Sequence, residues 1–472
     1  MPSPPIVFGT DGWRGRIARD LTFESVRRVV TAAAVWTTDE ATTEPGEAWT
    51  LPIVFDTRFL SPELAKDSAA FLATRGFRVL LSDRPVPTPC ASWHVASRML
   101  RTGLSITASH NPADWNGVKV KSSFGGSAMP ATYAAIARAA DRPLKERAGG
   151  AVETLDLMTP YRDALSALVD LEAIRKAGIR VLFDAIHGAA GTLLEEIVGP
   201  GHPTSVVSLR ATRDPLFGGV HPEPIPENLA ASRDALSGGR FDVVLASDGD
   251  GDRLGVLDAS GRFVTPHRVL ALLAESLTRR GRIKGGIAKT FSTSLLLDRV
   301  AADLGVRLHV TPVGFKHIAE KMISGEVAIG GEESGGLGVA FHLPERDGVL
   351  TALLVLEAIA HSGGTLEAMV ERQDAAYGAL HYGRRDLHLP LPVLRAFLQE
   401  LKAQPPASRS GQRVTGVDDM DGVKLIFGSR GWLLHRLSGT EPIIRIYAEH
   451  EDPAMIGALL DETETELRKN AP

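Results

Sequence analysis

The chain has 472 residues, 44% of them apolar and 23% charged. These proportions exclude global disorder and fibrous architectures, and the length suggests about three domains, with two or four as alternatives. With 52 basic and 57 acidic side chains the net charge is −5, which argues against a chain-wide footprint for nucleic acid or anionic lipid but not against a local anion pocket.

The opening residues 1–6 carry neither a basic region nor an apolar stretch, so no secretory signal is expected. The longest apolar tract, 349–360, is interrupted by Thr351 and Glu357 and falls short of the roughly 20 residues of a spanning helix. The single cysteine, Cys90, rules out an internal disulfide or a cysteine-built metal site and reads as a quiet, half-buried thiol. The expectation is a soluble cytoplasmic protein, monomer or homodimer, without nucleic-acid or membrane partners.

In chain order, the recurring unit is a β-branched run, a polar or glycine-rich turn and a helix. Ile53-Val54-Phe55 leads into Asp56-Thr57-Arg58 and a helix with Ser61 as N-cap, Pro62 in its first turn and Gly76 as its stop. The strand Arg78-Val79-Leu80-Leu81 follows. A second copy runs from Ile179 to Phe183, through His187-Gly188-Ala189-Ala190-Gly191, into a helix containing Leu194 and Ile197. A third runs from Gly286 to Lys289, through Ser292-Thr293-Ser294, into a helix ending at Leu304 and a strand near Val310. Three such copies predict three α/β domains with mainly parallel sheets. Joints are expected in 141–150, after 256–258 and within 363–384. Beyond the last, strand-like runs at 422–426, 432–435 and 443–447 and a helix near 453–468 predict an α+β module. The resulting division is 1–150, 151–257, 258–375 and 376–472.

Four motifs follow predicted strands. Thr107-Ala108-Ser109-His110-Asn111-Pro112, with Lys119 ten residues after Ser109, puts a serine where open α/β sheets place ligands. It lacks the glycines of a hydrolase elbow, and taken alone it fits a capped turn better than a catalytic site. Asp248-Gly249-Asp250-Gly251-Asp252-Arg253 sets three carboxylates on one side of an extended loop. An EF-hand fails because position six is Arg253 and position twelve Ala259, whereas Mg²⁺ suits so small a set of hard oxygen ligands. Gly330-Gly331-Glu332-Glu333-Ser334-Gly335-Gly336 can grip sugar hydroxyls or be a plain loop. Arg436-Leu437-Ser438-Gly439-Thr440-Glu441-Pro442, with Arg445 beyond, reads as a phosphate cradle in preference to a hairpin with incidental arginines.

These four motifs in this order, with Phe8-Gly9-Thr10-Asp11-Gly12-Trp13-Arg14-Gly15 at the start, resemble the α-D-phosphohexomutases over essentially the whole chain. The resemblance implies three α/β domains with mixed, mainly parallel sheets plus a C-terminal α+β domain around a central cleft. It implies a phosphoryl-carrying Ser109, Mg²⁺ held by Asp248, Asp250, Asp252 and the seryl phosphate, and Lys119 as general acid/base. His110, Arg14 and Arg253 fall in the reaction centre. Glu332 and Ser334 match the sugar loop, and Arg436, Ser438, Gly439, Thr440 and Arg445 the loop for the non-reacting phosphate. Lys289, Val313 and Gly314 match further substrate contacts, and Arg346 a basic residue near the distal phosphate. The implied reaction interconverts hexose 1-phosphate and hexose 6-phosphate, with a hexose 1,6-bisphosphate as intermediate and activator.

A lysine at position 119 is expected to work best with its pKa lowered by neighbouring cations. Gly336 stands where many dual-specificity members carry histidine, which favours glucose over mannose; phosphomannomutase and phosphoglucosamine mutase are the alternatives. A phosphatase or hydrolase built on Ser109, His110 and Asp114 leaves the aspartate loop unexplained. A silent sugar-phosphate sensor leaves Ser109 and Lys119 without a purpose.

Overall fold

A computed structural model describes residues 6–9, 11–39, 45–438 and 443–469. In the first sheet the strands Thr50–Phe55, Arg78–Ser82, Thr102–Ile106 and Ala151–Leu155 run parallel. Trp115–Ser122 pairs antiparallel with Thr102–Ile106, and Trp13–Arg16 closes that edge. The first unit therefore continues past residue 150. The polar stretch before it returns the chain to the sheet edge, where Arg147 donates its amide to the Arg75 carbonyl. In the helix Ser61–Thr74 the N-cap is Leu60, in a left-handed conformation, not Ser61. The Ser61 hydroxyl is taken by Asp56, at 2.6 Å.

The second sheet holds Arg180–Asp184, Ser205–Leu209 and Val243–Ser247 in parallel, then Leu254–Asp258 and Phe263–Val264 antiparallel at one edge. That edge carries the second unit past residue 257. The third sheet has parallel strands Gly286–Thr290, Leu308–Thr311 and Val327–Gly331, with Leu337–Val339 antiparallel. Helices Gly348–Ser362 and Leu366–Tyr377 follow.

The last sheet is wholly antiparallel: His381–His388, Ile443–His450, Gly431–Leu437, Val423–Ile426 and Gly416–Asp418. Its first strand falls partly in an expected joint, because an edge strand bearing Arg384, Asp386 and His388 gives no apolar signal.

One apolar core runs from Val54 of the first unit through Phe183, Leu245, Ile287 and Leu353 of the next two. The C-terminal unit has its own core around Leu394, Leu433, Ile446 and Leu459. A smaller cluster, Phe291 with Trp432, Leu434 and Tyr447, docks it onto the third unit. Among the described residues no single helix is long and apolar enough to cross a membrane.

Candidate active site

Ser109 leaves the C-terminal end of Thr102–Ile106 with a positive φ of 54° and is 1% exposed. Its amide donates to Thr107 Oγ1 (2.8 Å), its hydroxyl donates to Asp248 Oδ2 (3.1 Å), and His110 Nδ1 lies 3.4 Å from the same oxygen of Ser109. The aspartate loop comes up beside it, between the antiparallel strands Val243–Ser247 and Leu254–Asp258. Gly249 is obligatory there: a Cβ on it would stand 2.6 Å from the Ser109 carbonyl oxygen.

Asp248, Asp250 and Asp252 are fully buried and can present ligand oxygens within 4.8 Å of one another. Asp248 Oδ1 accepts the backbone amides of Asp252 (2.9 Å) and Arg253 (3.2 Å). Asp250 Oδ2 accepts from Thr88 Oγ1 (2.7 Å). Among the described residues, Oδ1 of Asp250 and Oδ1 of Asp252 are buried without a hydrogen-bond partner, a cost that a cation would remove. Burial first, and then Asp252 and Asp250, push the Asp248 carboxyl well above the usual range. An all-oxygen set with two orphaned atoms beside a serine fits a divalent cation that also takes a phosphate ligand.

Lys119, on Trp115–Ser122, points its ammonium into three carboxylates: Asp250 (2.8 Å), Asp252 (2.9 Å) and Asp11 (2.9 Å). Burial works against the charge, but these carboxylates outweigh it and raise the lysine. The lowering that would best suit a general base is not what these neighbours produce. His110 moves the other way: burial, then Arg253, Arg14 and Lys119, hold its imidazole neutral. Arg14 donates to Asn111 Oδ1. Arg253 lies 3.3 Å from Glu223 and 3.8 Å from Asp252.

Arg346 joins this centre and not the distal phosphate loop. Its guanidinium spans Asp11 (2.6 Å), Asp252 (2.8 Å) and Glu332 (3.4 Å), tying the sugar loop to the aspartate loop. It also explains Gly336, where a Cβ would meet Arg346 Cδ at 2.3 Å. Glu332 is buried and Ser334 half-buried on the turn between Val327–Gly331 and Leu337–Val339. Glu333 Oε2 accepts from Ser292 Oγ (2.7 Å).

Lys289 is committed to Asp298 and the Ser294 carbonyl. Val313 donates its amide to Asp421 (2.8 Å), and Arg436 Nε lies 2.9 Å from the same carboxylate, so the Val313-Gly314 turn meets the distal loop through Asp421. Arg436 and Arg445 are direct cross-strand partners. Ser438 donates its amide to the Ile443 carbonyl, while Gly439 and Thr440 lie outside the described residues. Cys90 is fully buried, its thiol pushed up by burial.

Several residues escaped the sequence reading. Asp11, Thr88 and Glu345 bind the network, Glu345 through a 2.6 Å bond to the buried Lys121. Arg58 sits beneath the serine loop. The available signal for it was an Asp-Thr-Arg turn at the same sheet edge as Ser109.

The chain matches the phosphoglucomutase/phosphomannomutase family in all four domains: alpha/beta/alpha domain I over residues 5–147, domain II over 159–261, domain III over 265–377 and the C-terminal domain over 400–466. A phosphoglucosamine mutase of Rubrobacter xylanophilus is 33% identical, with 95% of this chain and 94% of that one covered. A phosphoglucomutase/phosphomannomutase of Thermococcus kodakarensis is 31% identical, with 94% of each covered. A solved structure from Thermus thermophilus, described as a phosphomannomutase, shares 37% identity at a TM-score of 0.86, covering 99% of this chain and 100% of that one. The order of the motifs, the four-domain fold and these relatives agree: the chain belongs to the α-D-phosphohexomutase family and is an enzyme of the isomerase, phosphotransferase class.

Proposed function

We propose that the protein interconverts hexose 1-phosphate and hexose 6-phosphate by way of phospho-Ser109 and a hexose 1,6-bisphosphate, which also primes it. The observation that carries this reading is the Ser109 hydroxyl 3.1 Å from a carboxylate of the buried aspartate triad. In the first half-reaction the P–Oγ bond of phospho-Ser109 breaks as a bond to the free sugar hydroxyl forms. One proton leaves the sugar hydroxyl on the Lys119 side and one reaches Ser109 Oγ, which has His110 Nδ1 at 3.4 Å, so the half-reaction neither gains nor loses a proton. In the second half-reaction both transfers reverse: Oγ gives up its proton as the other phosphate of the bisphosphate returns to it, and Lys119 donates to the departing sugar oxygen. Mg²⁺ held by Asp248, Asp250 and Asp252, when bound, would offset charge on the transferring group and compete with Lys119 for two of its carboxylates. Arg14 and Arg253 add positive charge beside the serine, Glu332 and Ser334 hold ring hydroxyls, and Arg436 with Arg445 holds the phosphate at rest.

For the hexose, the Rubrobacter relative supports glucosamine phosphate over glucose phosphate. The Gly336 argument for glucose loses its force, because that glycine makes room for Arg346. Coupled assays with glucosamine 1-phosphate, glucose 1-phosphate and mannose 1-phosphate, each with Mg²⁺ and the matching bisphosphate, test both levels. The highest kcat/KM for glucosamine 1-phosphate supports the amino sugar. No turnover of any of them, in either direction, contradicts the mutase reading.

A further inference from the structure

Arg58 is fully buried, and its hydrogen bonds go to none of the described residues assigned to substrate. Its Nη2 donates to the carbonyls of Ser109 and Asn111, both at 2.6 Å, and its Nη1 to those of Pro112 (2.7 Å) and Trp115 (3.1 Å). Its Nε lies 3.2 Å from Asp56 Oδ2, the oxygen that also accepts from Thr107 Oγ1 at 2.6 Å. Thr107 Oγ1 in turn accepts the Ser109 amide. The second domain closes over the arginine: the Phe217 ring centroid is 5.0 Å from its Cζ, and Arg213 donates to the carbonyls of Thr57 and Arg58.

We infer that Arg58 is the positioning residue of the phosphoryl-carrying serine: its guanidinium gathers four carbonyls of the 109–115 loop and so fixes the direction of Ser109 Oγ. The inference rests on the phosphoserine reading above. Residues 110–113 are only half-buried, so side-chain packing does little to define the loop. Its shape comes from polar bonds that converge on one cation. Only a planar fork of donors reaches four carbonyls at once; an ammonium on a flexible stem has three donors at a single point. Ser109 also holds a positive φ that serine rarely adopts, a conformation that persists only where its surroundings enforce it.

Arg58→Lys and Arg58→Gly test the role. A displaced nucleophile predicts a fall in kcat of about 100-fold with KM for the hexose phosphate unchanged, since Arg58 hydrogen-bonds to no described residue of the sugar and phosphate loops. Added guanidinium should restore turnover to Arg58→Gly and not to Ser109→Ala. Wild-type kcat in Arg58→Lys, or a loss expressed in KM alone, overturns the inference. Amide exchange across 109–115 in Arg58→Lys gives a second decision should the glycine variant not fold. Faster exchange confined to this loop supports the role, and unchanged exchange overturns it. Wild-type protein that turns over no hexose phosphate would overturn the mutase reading instead, and the exchange measurement would still decide the part of Arg58 in holding the loop.

Discussion

Ser109, Lys119 and the three aspartates are at most 1% exposed, and Lys119 and Asp248 each meet partners from another domain. Arg436 and Arg445 keep 15% and 30% of their side chains in solvent, and the described carboxylates they pair with, Asp421 and Asp386, belong to their own domain. The first region lies where the first two domains meet, on strands Thr102–Ile106 and Trp115–Ser122 that pack in the first domain's own core, while another core ties that domain to the next two; the second region lies on a unit whose core is separate from both. The difference teaches how the work is divided. Phosphoryl transfer needs charges fixed before the ligand arrives, and burial fixes them. The proposed task of Arg436 and Arg445, holding the idle phosphate, needs cations that can change partner at little cost, and ion pairs open to solvent are weaker than buried ones.

The largest expected effect breaks the first region. Ser109→Ala should lower activity by at least about 1000-fold and abolish phosphate on the protein by intact mass, while its circular dichroism stays that of the wild type. Asp248→Asn comes next and should show opposite signs for function and stability. Turnover with Mg²⁺ should fall by more than the roughly 10- to 100-fold that changes outside a metal's ligands cost. Thermal unfolding without divalent cation should occur at a higher temperature than in the wild type. The carboxyl there is raised by burial and by its two neighbours, so the folded state binds its proton more tightly and loses stability as pH rises out of the ordinary carboxylate range. The gain from asparagine, which mimics the protonated form, should therefore be larger at pH 8 than at pH 5.

Arg436→Ala should act on the second region alone. Loss of a charge-assisted bond of about 1.5–3 kcal/mol predicts a fall in kcat/KM of roughly 10- to 100-fold in both directions. The variant's unfolding temperature should change little.

How far each region was legible follows from the same contrast. The aspartate loop was legible because its three carboxylates stand at alternate positions directly after a strand; the roles of Ser109 and Lys119, whose motif alone fits a capped turn, became legible only through the resemblance. The direction of the Lys119 shift was not legible, because Asp11, Asp250 and Asp252 reach it only through the fold. The contacts of Arg346, expected near the distal phosphate, were hidden for the same reason: neither Asp11 nor Asp252 is near it in sequence. Strand Ala151–Leu155 carries exposed Ala151, Val152 and Thr154 at a sheet edge, so the alternation that marks a half-buried strand is weak there, and the first domain runs further than composition suggested. The α+β character of the tail was legible from its apolar runs; its edge strand His381–His388 was not.

The smallest effect concerns the joint between the two regions. His267 is buried against Tyr382, with ring centroids 4.3 Å apart and, among the described residues, no hydrogen-bond partner on either ring nitrogen. Burial, then Lys289, Arg268 and Lys424, push its pKa down to about 3. The unfolded chain therefore takes up a proton that the folded one refuses, and stability is lost as pH falls from the ordinary histidine range towards 3. His267→Phe should move the acid-unfolding midpoint to lower pH and leave unfolding at pH 8 almost unchanged.

The central claim is that Ser109 carries the transferable phosphoryl group between the two ends of one sugar. Dephosphorylated protein mixed with hexose 1,6-bisphosphate and Mg²⁺ in a single turnover, followed by peptide mass analysis, tests it most directly. The account predicts one phosphate on Ser109 and one hexose monophosphate released per chain, with no inorganic phosphate. Phosphate on any other residue, or inorganic phosphate in step with the monophosphate while Ser109 stays unmodified, would contradict it.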